Sequence, residues 1–286
     1  MRAVRIHAYG DPSVIHVDEI PVPVPRRHEV LIRTAATSFN PSEVGLRTGL
    51  LRGMFDLPLP HTLGWDLAGT VEGTGERLVG HVEGGAAAQY AAADRSVLVA
   101  APTTVPLEQA AALPVAGLTA WQAVFDHARV RPGERVLVNG AGGGIGGFAI
   151  QLARHAGAQV VATASGRSAA KVRSLGAAEV LDYTSAPLDA LLSSPVDVLL
   201  HLAPAPVPTG VLRPDGRLVS ATTPGPAHFV MRNDPGQLAS LVALVDAGVV
   251  RLDISDVVDF ADVAAVHRAA EAGEVRGKVL IVPELG

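Results

Sequence analysis

The sequence predicts an α/β fold in which a doubly wound parallel sheet is joined to a second unit resembling a partly closed β-barrel. Apolar strands alternate with helical segments from about residue 102 to 245 of the 286 residues, which is typical of a parallel sheet covered by helices. Before residue 101, short apolar strands are separated by Gly and Pro. An apolar stretch, a helix and a strand follow residue 246. We therefore predict one unit over residues 1–101 and 246–286, and another over residues 102–245.

Each predicted strand is a run rich in Val, Ile, Leu or Ala, bounded by turn-forming residues. In the first unit the predicted strands are Val4–His7, Val14–Glu19, Glu29–Ala36, Leu67–Glu72 and Gln89–Ala92. In the second they are Val136–Val138, Val160–Thr163, Val180–Asp182, Val196–Leu202 and Arg217–Ser220. The last part of the chain contains an apolar stretch, a helix and a strand, at Val249–Phe260, Ala261–Ala272 and Lys278–Val282. These three elements are expected to return to the first unit.

A glycine-rich turn follows the strand Val136–Val138 and opens a helix that ends near Gly157. Glycine or alanine at the key positions permits a tight turn, close approach of backbone to a pyrophosphate, and close packing of helix on strand. The helix N-terminus adds N–H groups and a positive dipole end. The candidate pyrophosphate-binding residues are Ala141, Gly143, Gly144, Ile145 and Gly146. A flexible loop is the alternative interpretation, but the second strand at βαβ spacing favours dinucleotide binding.

The choice of dinucleotide is predicted from the end of the second strand. An Asp or Glu there would bind the ribose 2′-hydroxyl of NAD, but the run Thr163–Ser168 contains no acid. Ser165 and Arg167 are instead suited to a 2′-phosphate, since a guanidinium binds phosphate through several donors. These residues predict NADPH as the cofactor. Alternatively, Arg167 is a solvated residue that opens the next helix.

Composition narrows the class of protein. The chain is 48% hydrophobic and 18% charged, as expected of globular domains. Its net charge is −5, and no basic run is interleaved with aromatic residues, so we expect no nucleic-acid partner. No apolar run reaches the roughly 20 residues that span a bilayer, so we expect a cytoplasmic protein with no membrane partner. Cysteine is absent and the ten histidines lack ligand spacing, so we expect no metal site.

Several ordered motifs resemble the medium-chain dehydrogenase/reductase superfamily. Within it, the resemblance is to the zinc-independent quinone oxidoreductase, or zeta-crystallin-like, group. The motifs are Asn40–Gly49, Gly64–Gly69, Ala111–Trp121, the glycine-rich turn and Arg276–Leu280. The resemblance covers nearly the whole chain and implies a Rossmann dinucleotide-binding domain and a GroES-like catalytic domain. Because the zinc-dependent members use cysteine ligands, it also implies chemistry without zinc.

The resemblance implies roles for five further residues. Asn40 and Arg47 would face the nicotinamide and the substrate, and Thr119 would lie against the nicotinamide end. Tyr183 would pack near the adenosine 2′-phosphate, and Lys278 would approach the phosphates.

Four of these assignments have a structural alternative. Asn40 also fits a turn stabilised by its own side chain, and Arg47 also fits an ion pair with Glu43 one helical turn earlier. Thr119 fits a helix N-terminus, and Tyr183 fits an exposed strand end. Asp66 in Gly64–Gly69 fits a residue that only orders a loop.

The sequence also departs from the group in three places. Gly45 stands where related reductases carry a tyrosine, which removes a phenol that could orient substrate or relay a proton. The segments Glu72–Ala88 and Ala203–Leu212 are shorter than usual. An open cleft, or altered contacts between subunits, would follow from these shorter segments.

The leading hypothesis is an NADPH-dependent reductase that transfers hydride to a quinone or an α,β-unsaturated carbonyl. Asn40 and Arg47 would stabilise charge on the carbonyl oxygen, and water would supply the final proton. One alternative is an enoyl reductase of a biosynthetic pathway. Another is a non-catalytic NADPH-binding sensor or partner protein, favoured by Gly45 and the shorter segments. The sequence is compatible with a homodimer but does not reveal the substrate, the pathway or the oligomeric state.

Overall fold

A computed structural model describes residues 1–53 and 57–284. By contacts within the chain it divides into two compact units. The first unit comprises Met1–Val115, Asn233–Asp246 and Ile254–Gly286. The second comprises Ala116–Arg232 and Ala247–Asp253.

The chain forms strands and helices in the following order. The strands are β1 (Arg2–Ile6), β2 (Ile15–Glu19), β3 (Glu29–Ser38), β4 (His61–Thr62), β5 (Asp66–Val71), β6 (Arg77–His81), β7 (Tyr90–Asp94), β8 (Leu98–Ala100), β9 (Arg135–Asn139), β10 (Gln159–Ala164), β11 (Glu179–Asp182), β12 (Val196–His201), β13 (Leu212–Ser220), β14 (Ile254–Asp259) and β15 (Lys278–Val282). The α-helices are α1 (Ser42–Thr48), α2 (Pro114–Trp121), α3 (Gly144–His155), α4 (Ala169–Ser174), α5 (Leu188–Leu191), α6 (Pro235–Asp246) and α7 (Val263–Glu271). Short 3-10 helices cover Pro12–Val14, Arg95–Val97, Leu107–Ala112 and Phe260–Asp262, and a π-helical segment, Gln122–His127, follows α2.

The first unit is built from two sheets. A small antiparallel sheet has the order β2-β1-β4, and a larger sheet has the order β14-β15-β3-β5-β6-β8, with β7 also paired to β3. The ten-residue strand β3 has a register shift between Thr34 and Ala36 where it pairs with β5, as expected where a sheet curves.

Two apolar clusters fill the first unit. One includes Phe39, Leu46 and Phe260, and the other includes Ile32 and Leu67. The 3-10 helix Leu107–Ala112 packs on β3 and β5, and α6 packs on β8. By these contacts, the first unit extends from Met1 to Val115 and also includes α6. The sequence pattern instead places the boundaries between the two units at residues 101 and 245.

The second unit is a parallel five-stranded sheet with the order β11-β10-β9-β12-β13. Each neighbouring pair is parallel, which confirms the doubly wound sheet. Val136, Leu137 and Val138 of β9 are fully buried, which explains why this central strand is a continuous apolar run. The chain moves from β9 to β10 and β11 on one side, and β12 and β13 lie on the other. The strand order therefore reverses between β9 and β12, where sheets of this kind bind ligands.

The described part of the chain contains no helix that is both long and apolar enough to cross a membrane.

Candidate cofactor and active sites

The glycine-rich turn connects β9 to α3 at the carboxyl edge of the parallel sheet. Gly140 has a φ of +95°, a conformation that favours glycine. Gly143, the N-cap of α3, is extended, and no side chain caps the helix. The first N–H groups of a helix have no partner within the helix, so an uncapped N-terminus of this kind suits an anion such as a pyrophosphate.

The space around the turn explains its small residues. A Cβ at Gly146 would lie 2.3 Å from the oxygen of Gly140 and 2.6 Å from the Cα of Ala141, so any side chain would force the helix away from the turn. A Cβ at Gly142 would lie 2.9 Å from the Oγ of Ser168. A Cβ at Gly143 would lie 3.5 Å from the oxygen of Gly140, an ordinary contact distance, so the turn is less crowded at this position. The turn thus forms a glycine cradle that fits the backbone-lined site expected for a dinucleotide.

The residues predicted to select the cofactor follow two neighbouring strands at the same edge. In the β10–β11 pair, Ala164 is in register with Asp182, so Ser165 and Tyr183 each follow directly after the paired strand ends. Tyr183 is 52% exposed. Arg167 is exposed in the turn before α4 and forms no hydrogen bond or ion pair with a described residue. The structure therefore places Ser165, Arg167 and Tyr183 at one edge with the turn.

Thr119 lies inside α2, which begins at Pro114, and is 5% exposed. The alternative in which Thr119 is a helix N-terminal residue is therefore wrong.

Asn40 belongs to a buried polar cluster in the first unit. Its Nδ2 donates to Asp66 Oδ2 at 2.9 Å and to the oxygen of Ser38 at 3.3 Å. The Nζ of Lys278 donates to Asn40 Oδ1 at 2.8 Å, to the oxygen of Phe39 at 3.0 Å and to Asp66 Oδ2 at 3.3 Å. Asn40, Asp66 and Lys278 follow or begin the strands β3, β5 and β15. Strand pairing thus brings together residues from distant parts of the sequence.

Asp66 lies at the centre of this cluster. From the sequence alone, Asp66 was considered only as a residue that orders a loop. Its Oδ1 accepts the backbone N–H of Val115 at 2.8 Å, and Ser38 Oγ donates to its Oδ2. It also forms an ion pair with Lys278. The sequence did contain a signal for this role, since Asp66 stands between the apolar residues Trp65 and Leu67. An acid in such a position is expected to be buried and therefore to require polar partners.

Glu43 adds a second buried acid that the sequence analysis considered only as a partner for Arg47. Its Oε1 accepts the backbone N–H of Asn40 at 3.3 Å. Burial, and then the negative charge of Asp66, raise the pKa of Glu43 to about 8. Burial also lowers the pKa of Lys278, while Asp66 opposes this change. A protonated Glu43 carries no charge, so it adds no net charge to the Asp66–Lys278 ion pair.

Arg47 lies in a different network, between α1 and α7. Its side chain is fully buried, donates to the oxygen of Gly10 and forms an ion pair with Glu271. Its Nε lies 3.3 Å from Nδ1 of His267. Burial, and then the Arg47 charge, lower the pKa of His267 to about 4, so this imidazole is neutral and accepts from Arg47. The alternative pairing of Arg47 with Glu43 is wrong, because the ion-pair partner comes from α7.

Gly45 faces a filled space. A Cβ at this position would lie 3.2 Å from Cγ of Leu51 and 3.3 Å from its Cδ1. Leu51 therefore packs where a side chain at residue 45 would begin.

Comparison with known proteins identifies the class. Residues 26–95 match the alcohol dehydrogenase GroES-like domain family, and residues 175–281 match a family described as zinc-binding dehydrogenase. The chloroplast envelope quinone oxidoreductase homolog of Arabidopsis thaliana is 36% identical over 253 residues, which are 79% of this chain and 76% of that protein. The NADPH-dependent alkenal/one oxidoreductase of the same plant is 29% identical over 309 residues, 99% of this chain and 80% of that protein.

A solved structure, the quinone oxidoreductase from Coxiella burnetii, superimposes with a TM-score of 0.90 at 27% identity, covering 99% of both chains. The chain therefore belongs to the medium-chain dehydrogenase/reductase superfamily. Within that superfamily it lies in the quinone oxidoreductase-like group.

The part of the chain that the structure describes does not fit the zinc named in one family description. The residues described contain no group of three or more His, Asp or Glu side chains able to hold a metal, and the sequence has no cysteine. The oxygens of Asp66, Asn40 and Phe39 already surround the Lys278 ammonium. The Lys278 ammonium is therefore the cation that these oxygens bind.

Proposed function

We propose that this protein is an NADPH-dependent reductase that transfers hydride to a quinone or to the β-carbon of an α,β-unsaturated carbonyl. The observation that carries the proposal is the acid-free run Thr163–Ser168 at the carboxyl edge of the parallel sheet, in a chain of this family. There the glycine cradle lies beside strand ends followed by Ser165, Arg167 and Tyr183. The names of the plant relatives, a quinone oxidoreductase homolog and an alkenal/one oxidoreductase, support the substrate class.

The chain's own groups would hold the dinucleotide. The N–H groups at the start of α3 would bind the pyrophosphate, and Gly146 allows the helix to approach it closely. Arg167 would bind the 2′-phosphate, with Ser165 donating and Tyr183 packing nearby. Thr119 remains a candidate for the nicotinamide end. When bound, the nicotinamide supplies the hydride.

Asn40 is the candidate donor to the substrate carbonyl. Both of its amide hydrogens are engaged, and the longer bond, 3.3 Å to the oxygen of Ser38, is the weaker one to exchange for a substrate oxygen. Lys278 and Asp66 hold the amide in this orientation. A fixed donor of this type stabilises negative charge only as it develops on the carbonyl.

Two earlier assignments change. The Lys278 ammonium donates all three of its hydrogen bonds within the Asn40 cluster, to Phe39, Asn40 and Asp66. We therefore assign Lys278 to orienting Asn40 rather than to binding the cofactor phosphates. Arg47 is fully buried with partners at Gly10, His267 and Glu271, so we assign it to the packing of α1 on α7 rather than to the substrate.

The test is NADPH oxidation with a panel of quinones, small enones and thioester-linked enoyl substrates. We expect turnover with a quinone or a small enone. Turnover confined to thioesters would favour an enoyl reductase. Tight NADPH binding without turnover on any acceptor would favour a sensor or partner protein and overturn the proposal.

A further inference from the structure

A chain of buried hydrogen bonds runs across three neighbouring strands of the parallel sheet. Nδ2 of Asn139, the last residue of β9, lies 2.9 Å from Nδ1 of His201, the last residue of β12. Thr163 Oγ1 of β10 donates to Asn139 Oδ1 at 3.1 Å. The same Thr163 oxygen accepts the backbone N–H of Gly140 at 3.0 Å. These hydrogen bonds therefore connect the imidazole of His201 to the backbone N–H of Gly140, the first amide of the glycine-rich turn.

The second ring nitrogen of His201 fixes the direction of these bonds. Its Nε2 lies 2.8 Å from the oxygen of Ala205 and 3.1 Å from Oγ1 of Thr223. A backbone oxygen can only accept, so Nε2 carries the hydrogen and Nδ1 accepts from the amide of Asn139. The Asn139 oxygen then faces the Thr163 hydroxyl. A single tautomer and a single amide orientation satisfy every group.

These hydrogen bonds lie at the point of the sheet where a ligand is expected to bind. The His201–Asn139 bond spans β9 and β12, where the strand order reverses and where ligands bind in such sheets. The loop after β12 also packs directly on the turn, because a Cβ at Gly140 would lie 2.7 Å from the carbonyl carbon of Leu202 and 2.8 Å from the nitrogen of Ala203. Movement at either segment would reach the other.

We propose that His201 is a positioning residue for the dinucleotide. It holds the glycine-rich turn through Asn139 and Thr163, so that the turn presents its amides to the pyrophosphate in one geometry, while the bond from Nε2 to the loop after β12 sets the tautomer that makes Nδ1 an acceptor. This inference rests on the proposed binding of NADPH. It adds a group that does not touch the cofactor but sets the shape of its site.

Two substitutions separate the two ends of the imidazole. His201→Asn keeps an acceptor near the position of Nδ1 and loses the Nε2 hydrogen, whereas His201→Gln keeps a donor near Nε2 and loses the acceptor for Asn139. NADPH dissociation constants are measured by titration calorimetry, together with thermal midpoints. We expect His201→Gln to weaken NADPH binding about 5- to 20-fold, the range for one lost hydrogen bond at a positioned group. His201→Asn should remain within about 3-fold of the wild type.

A second pair tests the same chain where the imidazole is intact. Thr163→Val removes the hydroxyl that joins Gly140 to Asn139, and Thr163→Ser retains it. Valine is expected to weaken NADPH binding by a similar factor, and serine to restore it. Amide hydrogen exchange of the turn in the free protein should rise in the valine and His201→Gln variants.

The outcomes distinguish this inference from the proposed function. A wild type that binds no NADPH overturns both. The role of His201 alone is overturned if the wild type binds NADPH but the dissociation constant is the same for His201→Gln as for His201→Asn, and the same for Thr163→Val as for Thr163→Ser. Should a His201 variant fail to fold, the Thr163 pair decides.

Discussion

Replacing Glu43 by glutamine should remove a pH-dependent loss of stability that is built into the first unit. Glu43 is 2% exposed, and its neighbours in the cluster are the carboxylate of Asp66 and the ammonium of Lys278. Its pKa of about 8 in the folded protein compares with 4.5 for the free side chain. Glutamine has nearly the same shape, accepts the Asn40 N–H and carries no charge at any pH.

The sign of the effect follows from linkage. A group whose pKa is raised on folding contributes stability that is fully present below the unfolded pKa, here 4.5, and is lost as the pH rises through about 8. Each pKa unit corresponds to about 1.36 kcal/mol, so the full difference amounts to roughly 4–5 kcal/mol. This is a large part of the total stability of a typical domain.

Urea unfolding of the wild type and of Glu43→Gln at pH 5 to 9 provides the assay. We expect the variant to gain stability relative to the wild type by several kcal/mol across this range, with most of the gain between pH 5 and 8. The difference curve removes groups that titrate alike in both proteins. Glu274→Gln, at an exposed carboxylate, serves as the control and should follow the wild type. A Glu43→Gln curve parallel to the wild type would refute the reasoning.

Three further predictions concern the proposed function. Arg167→Ala should weaken NADPH binding by about 1–3 kcal/mol, the cost of a lost charge-assisted hydrogen bond, and leave NADH binding nearly unchanged. Calorimetric titration measures both affinities, and equal losses for the two cofactors would contradict the assignment. Treatment with a chelator should leave turnover unchanged, because Asp66 Oδ2 accepts from the Lys278 ammonium and Oδ1 from the backbone of Val115. Activity that disappears and returns with zinc would show a metal site. Asn40→Ala should lower turnover more than NADPH affinity, since its donor acts on charge that develops with hydride transfer, whereas Arg47→Ala should mainly lower the thermal midpoint. Wild-type turnover in Asn40→Ala with a lowered midpoint would make Asn40 structural.

The elements of the second unit follow from local sequence. A strand buried on both faces must be apolar throughout, so Val136–Val138 indicates the centre of a parallel sheet. The turn after it needs glycine because backbone approaches within 2.3 Å of a Cβ built at Gly146. These requirements act over a few residues and are therefore readable without the fold.

Short strands of the first unit were less predictable. The strands β4, β6 and β8 are two to five residues long. The strand β6 contains a glycine, Gly80, whose built Cβ would lie 2.6 Å from the oxygen of Val97 on a later segment. The reason for that glycine is a contact distant in sequence.

The sequence by itself determined the class of fold, the position of the dinucleotide turn and the absence of thiol chemistry, because each depends on composition or on neighbouring residues. Only the tertiary structure decided which charges meet. Lys278 reaches Asn40 across 238 positions of the chain, and Arg47 pairs with Glu271 across 224 positions rather than with Glu43 one turn away. A buried charge must find its partner wherever the strands and helices bring one, and sequence spacing carries no information about that meeting.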